Sequence, residues 1–272
     1  MRVTRWLAPL LIAVALPPSV DAQSLADHIA MGDSARAQLH SADALKHYQA
    51  AVGLAPTTYE ANWKAAREIA DVAKQLLGDS LKTQRDSLYS LGQTYAEAAL
   101  KADSTGANGH YVLALVLGRL SRTRGGKERV RFAKIIYDEA ARTVQIDPTH
   151  DAAYHILGIW HAEVKRLSGF TKFFAKTLFG AGFMDQASWD SARVYMEKAV
   201  ALNPQHIYHR LELAGVYLDL DMPDKAEAEL QAIAGLPTTD PMDHYYREQA
   251  AAALADLRAH KADDAKDLLR KG

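Results

Sequence analysis

The 272-residue sequence contains no cysteine. That absence removes disulfides, thiolate metal sites, thiol catalysis and an acylated-cysteine anchor together. Net charge is almost absent too. The 32 Lys and Arg stand against 33 Asp and Glu, leaving −1 at pH 7. The chain as a whole is therefore no polyelectrolyte partner. With 16 Gly and 9 Pro, it is too poor in both for a collagen-like or disordered polymer. Alternating β-branched runs of useful length are missing, so strands are not expected. The length permits one sizeable core or a stack of small ones.

The first residues read as an export signal. Arg2 and Arg5 give a positive start, Trp6 to Leu16 is an apolar run broken only by Pro9, and Pro17 and Pro18 end it. Val20 and Ala22 put small residues where a signal peptidase reads, so cleavage is expected after Ala22. The run is short for a membrane span; retention as an anchor or burial as a first helix are the alternatives. An exported chain without disulfides holds its fold by packing alone, which suits a long helical stack.

One spacing recurs five times. Ala44, Tyr48, Ala51 and Pro56 are separated by four, three and five residues. The same steps separate Gly92, Ala96, Ala99 and Ser104; Ile136, Ala140, Thr143 and Pro148; Ala192, Met196, Ala199 and Pro204; and Ala226, Leu230, Ile233 and Thr238. Steps of four and three keep three positions on one helix face. The last position ends the helix, often as proline. Small first and third residues let two helices cross closely, and the bulkier middle one fills the hole beside them. This pattern resembles the second helix of a tetratricopeptide repeat (TPR). Tyr154, Leu157, Gly158 and His161 match the first-helix pattern W-x2-L-G-x2-Y, with Tyr for Trp and His for the final Tyr. His28, Met31, Gly32 and Ala35 are a weaker copy, and Arg210, Leu213, Ala214 and Tyr217 another. A glycine inside a helix costs about 1 kcal/mol against alanine, so Gly32 and Gly158 are expected at close helix–helix approaches.

The fourth anchors fall at 56, 104, 148, 204 and 238, at intervals of 48, 44, 56 and 34 residues. A bare repeat is about 34 residues. The extra length in repeats two and three is expected to lengthen helices, with corners at Gly78–Asp79 and Gly125–Gly126. Repeat four carries an insertion at 165–187. The expected fold is all-α: a right-handed superhelical solenoid of about five helical hairpins over 23–240, after a signal at 1–22 and before capping helices in 241–272.

The insertion narrows the resemblance. Leu167-Ser168 and Thr177-Leu178-Phe179-Gly180 flank eight residues, between Ile156-Leu157-Gly158-Ile159-Trp160 and Ala199-Val200-Ala201-Leu202-Asn203-Pro204. That order resembles the regulator of microtubule dynamics family over roughly Ala42 to Leu236. The resemblance implies a divergent TPR domain acting as a protein- and lipid-interaction module. An exported bacterial chain would meet no microtubule, so the family name would describe ancestry and not activity.

Two features are candidates for binding. Five of the six phenylalanines lie in the insertion: Phe170, Phe173, Phe174, Phe179 and Phe183. Together with Leu178 they either pack as extra core on the concave side, wall an apolar groove for a lipid tail or partner helix, or meet a membrane directly. Lys172 and Lys176 are placed to meet headgroups at its edge. The second feature is a basic run, Arg119, Arg122, Arg124, Lys127, Arg129, Arg131 and Lys134, opposed only by Glu128. It is either a solvated face or a rim for an anionic partner. It is short, lacks interleaved aromatics and argues against nucleic acid.

The chemistry of catalysis is missing. There is no G-x-S-x-G, no phosphate-binding glycine loop and no Ser-x-x-Lys set. His206 with His209, and His155 with His161, lack an HExxH pattern or a supporting carboxylate, so no metal or cofactor is expected. The expectation is a non-enzymatic, exported scaffold. Its concave face would grip a protein or peptide through Tyr111, Tyr154, His161, Arg210 and Tyr217, of which His161 and Tyr217 are equally suited to repeat packing. The alternative is a lipid-binding or lipid-transfer module using the insertion and the basic rim.

Overall fold

The computed structural model describes residues 24–270, except for the side chains of Phe170, Phe173 and Phe174; the expected export signal at 1–22 lies outside the described residues. Thirteen α-helices and no strand occur among the described residues. They pair as antiparallel hairpins: α1 (Leu25–Ala37) with α2 (Ser41–Leu54), α3 (Tyr59–Lys74) with α4 (Lys82–Ala102), and α5 (Ala107–Ser121) with α6 (Gly126–Ile146). Helix α7 (Asp151–Arg166) pairs with α9 (Trp189–Leu202) across α8 (Gly169–Phe179) and a 3-10 turn at Ala181–Gln186. Helices α10 (Ile207–Asp219) and α11 (Pro223–Ile233) follow, then α12 (Asp243–Arg258) and α13 (Ala262–Arg270). The chain is an all-α solenoid of TPR-type hairpins.

The recurring triplets are the joints of the stack. Ala44, Tyr48, Ala51, Ala96, Ala99, Ala140, Thr143, Ala192, Met196, Ala199 and Ala226 are all fully buried. Their small side chains let backbones meet. A Cβ on Gly32 would lie 2.5 Å from Tyr48 Cε1, and one on Gly158 would lie 2.6 Å from Met196 Cγ. Both glycines therefore sit where a first helix crosses the bulky middle residue of its own second helix, as the spacing predicts.

Hairpin corners separate bare from lengthened repeats. The short corners use a left-handed non-glycine residue: Leu39 (φ 63°), Asp221 (φ 57°) and His260 (φ 57°). Each costs about 1–2 kcal/mol, which packing of the flanking helices offsets. The lengthened second repeat turns instead at Gly78 (φ 89°), where a left-handed residue carries no such strain. In repeat four, Ser168 caps α8 by accepting the Thr171 N–H at 3.1 Å, and Gly180 (φ 67°) ends it. Ser188 then restarts the repeat by accepting the Ser191 N–H at 3.0 Å. The insertion is thus a capped helix spliced between two ordinary repeat helices.

An ion pair bridges the second hairpin and the approach to α12. Lys74 Nζ at the end of α3 lies 2.5 Å from Asp240 Oδ2, just before α12, and 2.8 Å from Asp71 Oδ1. Arg36 of α1 continues the chain of charges to Asp71 at 2.8 Å and to fully buried Glu68. Burial opposes ionisation of Asp71, yet Lys74 and Arg36 hold its carboxyl well below the usual range. Burial raises Glu68.

Candidate ligand groove

Helices α5, α6, α7 and α8 enclose a cavity of about 550 Å³, closed at one end by Tyr208 of α10. Each helix gives it a single stripe at helical spacing: Leu115, Arg119 and Arg122 on α5; Arg129, Ala133 and Ile136 on α6; Ile156, Ile159 and Glu163 on α7; Thr171, Ala175 and Phe179 on α8. Val164, Leu167 and Met184 complete an apolar wall. Trp160 fixes α7 on α6, its Nε1–H donating to the Ala133 carbonyl at 2.7 Å. A Cβ on Gly126 would lie 3.1 Å from Phe179 Cε2, so this glycine lets the end of α8 close over the start of α6.

Cations border the cavity, but they differ in their partners. Arg124 pairs with Asp86 at 3.4 Å and Glu128 at 3.7 Å. Glu163 is taken by Arg166 at 2.6 Å. Arg119 lies half-buried in the groove with its guanidinium 5.9 Å from the Tyr208 ring. No carboxylate among the described residues stands within ion-pair distance of it. Burial opposes its charge, but the hydroxyls of Tyr208, Tyr89 and Tyr246 and the Glu212 carboxyl hold its pKa above the ordinary value. Burial pushes Glu212 itself up. A positive charge therefore faces a largely apolar cavity with no carboxylate at ion-pair distance.

Histidines lie beneath that charge. His155 lines the cavity and meets His209, Nδ1 to Nδ1, at 3.0 Å; His209 Nε2 is 3.1 Å from Asp151 Oδ2. His206 stacks on His209 at 4.0 Å. Burial, then the neighbouring His209, His206 and Arg119, push His155 well below its ordinary pKa. Burial and His209 lower His206 to about 4. No three His, Asp or Glu side chains among the described residues are arranged to hold a metal ion.

The structure divides the residues singled out in the sequence. Tyr154, His161, Arg210 and Tyr217 are placed in repeat packing, not on an open inner face. Tyr154 leans on Tyr195 of α9. His161 is buried, accepts the Ser188 N–H at 3.3 Å and stacks on Tyr195. Arg210 pairs with Glu229 at 2.5 Å and donates to the Pro204 carbonyl at 2.9 Å. The buried Tyr217 hydroxyl donates to Glu197 Oε1 at 2.9 Å. Tyr111 is half-buried against the core, where its ring meets His150 at 4.5 Å and burial pushes its hydroxyl up to about 12. Of the basic run, Arg119, Arg122, Arg124 and Arg129 line the cavity, whereas Lys127 and Arg131 are exposed beside it. Of the predicted apolar groove, Phe179 lines the cavity and Leu178 is exposed; the side chains of Phe170, Phe173 and Phe174 lie outside the described residues. Reading the sequence missed Leu115, His155, Ile156 and Ile159. The available signal was the apolar pair Ile156 and Ile159 between the signature positions of α7, which pack partly on the core while lining the cavity.

The class of protein defined by this fold is the TPR-type scaffold, and this fits a protein-binding role. The regulator of microtubule dynamics protein 1-3 family profile matches residues 26–258, and the chain belongs to that family. Similar relatives include regulator of microtubule dynamics protein 1 of Bos taurus, 26% identical over 71% of this chain and 60% of that protein. The Homo sapiens protein of that name is 24% identical over 72% of this chain and 61% of its own length. The chain thus spans about three fifths of these relatives. Among solved structures, the thermophilic TPR protein TTC0263 of Thermus thermophilus is similar at a TM-score of 0.59 and 19% identity, covering 85% of this chain and all of that one. The pilF protein of Pseudomonas aeruginosa is similar at 0.51 and 14% identity, covering 91% and 96%. Such family and fold neighbours are typically non-catalytic scaffolds.

Proposed function

We propose that the protein is a non-catalytic binding protein that takes an elongated amphiphile into the α5–α8 groove, with the anionic head on Arg119 and the apolar tail along Ile156, Ile159 and Leu167. One observation carries the reading: a guanidinium without a carboxylate partner at an apolar cavity of about 550 Å³. Cavities of roughly 300–1,000 Å³ with apolar walls and few polar groups suit small ligands. They are too small for a folded partner helix. Hydrogen bonds to a charged group contribute about 1.5–3 kcal/mol, so losing Arg119 weakens binding by at least tenfold. The test is titration with a fluorescent fatty acid, dansyl-undecanoate. Arg119→Leu should raise Kd at least tenfold and leave the melting temperature within a degree or two. Equal affinity in both proteins would end the proposal.

A second reading keeps a protein or peptide partner on the inner face. Its candidate contact is Tyr111, a half-buried ring that packs on the core and meets His150. We further propose that the protein acts outside the cytoplasm after cleavage behind Ala22. N-terminal sequencing of protein recovered from the envelope fraction tests this; an N-terminus at Met1 would refute it.

A further inference from the structure

The mouth of the groove carries a surface that repeat packing leaves unused. Leu178 is 62% exposed and Phe179 38% exposed, although both are apolar. They end α8, and the Phe179 ring rests against Gly126 at the first turn of α6. That turn presents Lys127, Arg129 and Arg131 to solvent. Lys127 and Arg129 have no ion-pair partner among the described residues, and Arg131 reaches only Glu128 at 3.7 Å. On α8 itself, Lys172 lies close enough to Lys165 and Lys176 that burial and these like charges lower its pKa. Lys176 pairs with Asp185, which leaves cations in excess around the tip. An apolar tip flanked by excess cations is the pattern of a peripheral contact with acidic lipid: side chains enter the headgroup boundary while lysines and arginines meet the anionic charge.

We propose that the tip of α8 and the first turn of α6 dock this protein on an anionic bilayer, with the mouth of the groove facing the lipid. The inference deepens the amphiphile reading by giving that ligand a source, while the docking itself is measured separately. Charge complementarity favours a bilayer over a second copy of this chain, because copies meeting through this surface would bring two net-basic turns together.

The test uses vesicle flotation with phosphatidylcholine, with and without phosphatidylglycerol. Leu178, Lys127 and Arg131 do not line the cavity, so their variants separate docking from ligand uptake. The protein should float with phosphatidylglycerol vesicles, remain behind with pure phosphatidylcholine, and be released as salt rises. Leu178→Asp, and separately the pair Lys127→Glu and Arg131→Glu, should each reduce flotation at least tenfold. Both variants should bind dansyl-undecanoate in solution like the wild type. No flotation, indifference to phosphatidylglycerol, or variants that float normally would overturn the inference while leaving the Arg119 result standing. A concentration-dependent dimer broken by Leu178→Asp, without vesicle binding, would assign the patch to a second copy and also overturn it.

Discussion

Helix α7 shows two faces with opposite fates. On one, Leu157, Gly158 and His161 are buried against the returning helix α9. On the other, Ile156, Ile159 and Glu163 line open space. The first face carries the repeat signature and is fixed by close packing. The second packs only in part on the core and also faces the cavity. Signature residues in a solenoid therefore mark where not to look for a binding site, and the residues between them mark where to look.

The largest effect that would sharpen this contrast comes from the packed face. A side chain on Gly158 would strike Met196, including its backbone N at 3.1 Å, so Gly158→Leu should cost about 2–3 kcal/mol by overpacking. Urea denaturation measures it; a midpoint unchanged from wild type would break the comparison. Next comes acid. His155 and His206 are held neutral in the folded protein and bind protons more readily when unfolded. Stability should therefore be level above the ordinary histidine range and fall as pH drops below it, the His206 share of the loss being complete once pH has passed about 4. Urea midpoints at successive pH values test the sign, and a midpoint that rose on acidification would contradict the buried neutral pair. Smallest is Tyr217→Phe, which removes the hydrogen bond to Glu197 and should cost about 1 kcal/mol without altering dansyl-undecanoate affinity. A change in affinity with unaltered stability would move Tyr217 to the ligand-facing side.

The joints were legible because close approach constrains residue size. Ala44, Ala192 and Ala226 are fully buried, and their spacing alone announces it. Gly32 and Gly158 were legible for the same reason. The groove was less so. Phe179 and the arginines stood out by composition, but Ile156 and Ile159 look like ordinary helix core until the position of α8 is known. Tyr154 and His161 were ambiguous because a long polar side chain on a first helix can turn toward its own hairpin or toward the inner face. The choice depends on Tyr195 and Ser188, which lie far along the chain. Arg119 could be placed in a basic run, but its lack of a carboxylate at ion-pair distance is a property of three dimensions.

The tie between Lys74 and Asp240 alters how such a molecule comes apart. In an open stack each unit leans only on its neighbours, and the terminal units peel away first. Fastening the second hairpin to the approach to α12 couples units far apart in the stack, so they resist peeling together. Cutting that single fastening should turn one concerted melt into a progressive unravelling, visible as hydrogen exchange that quickens at both extremities before the middle.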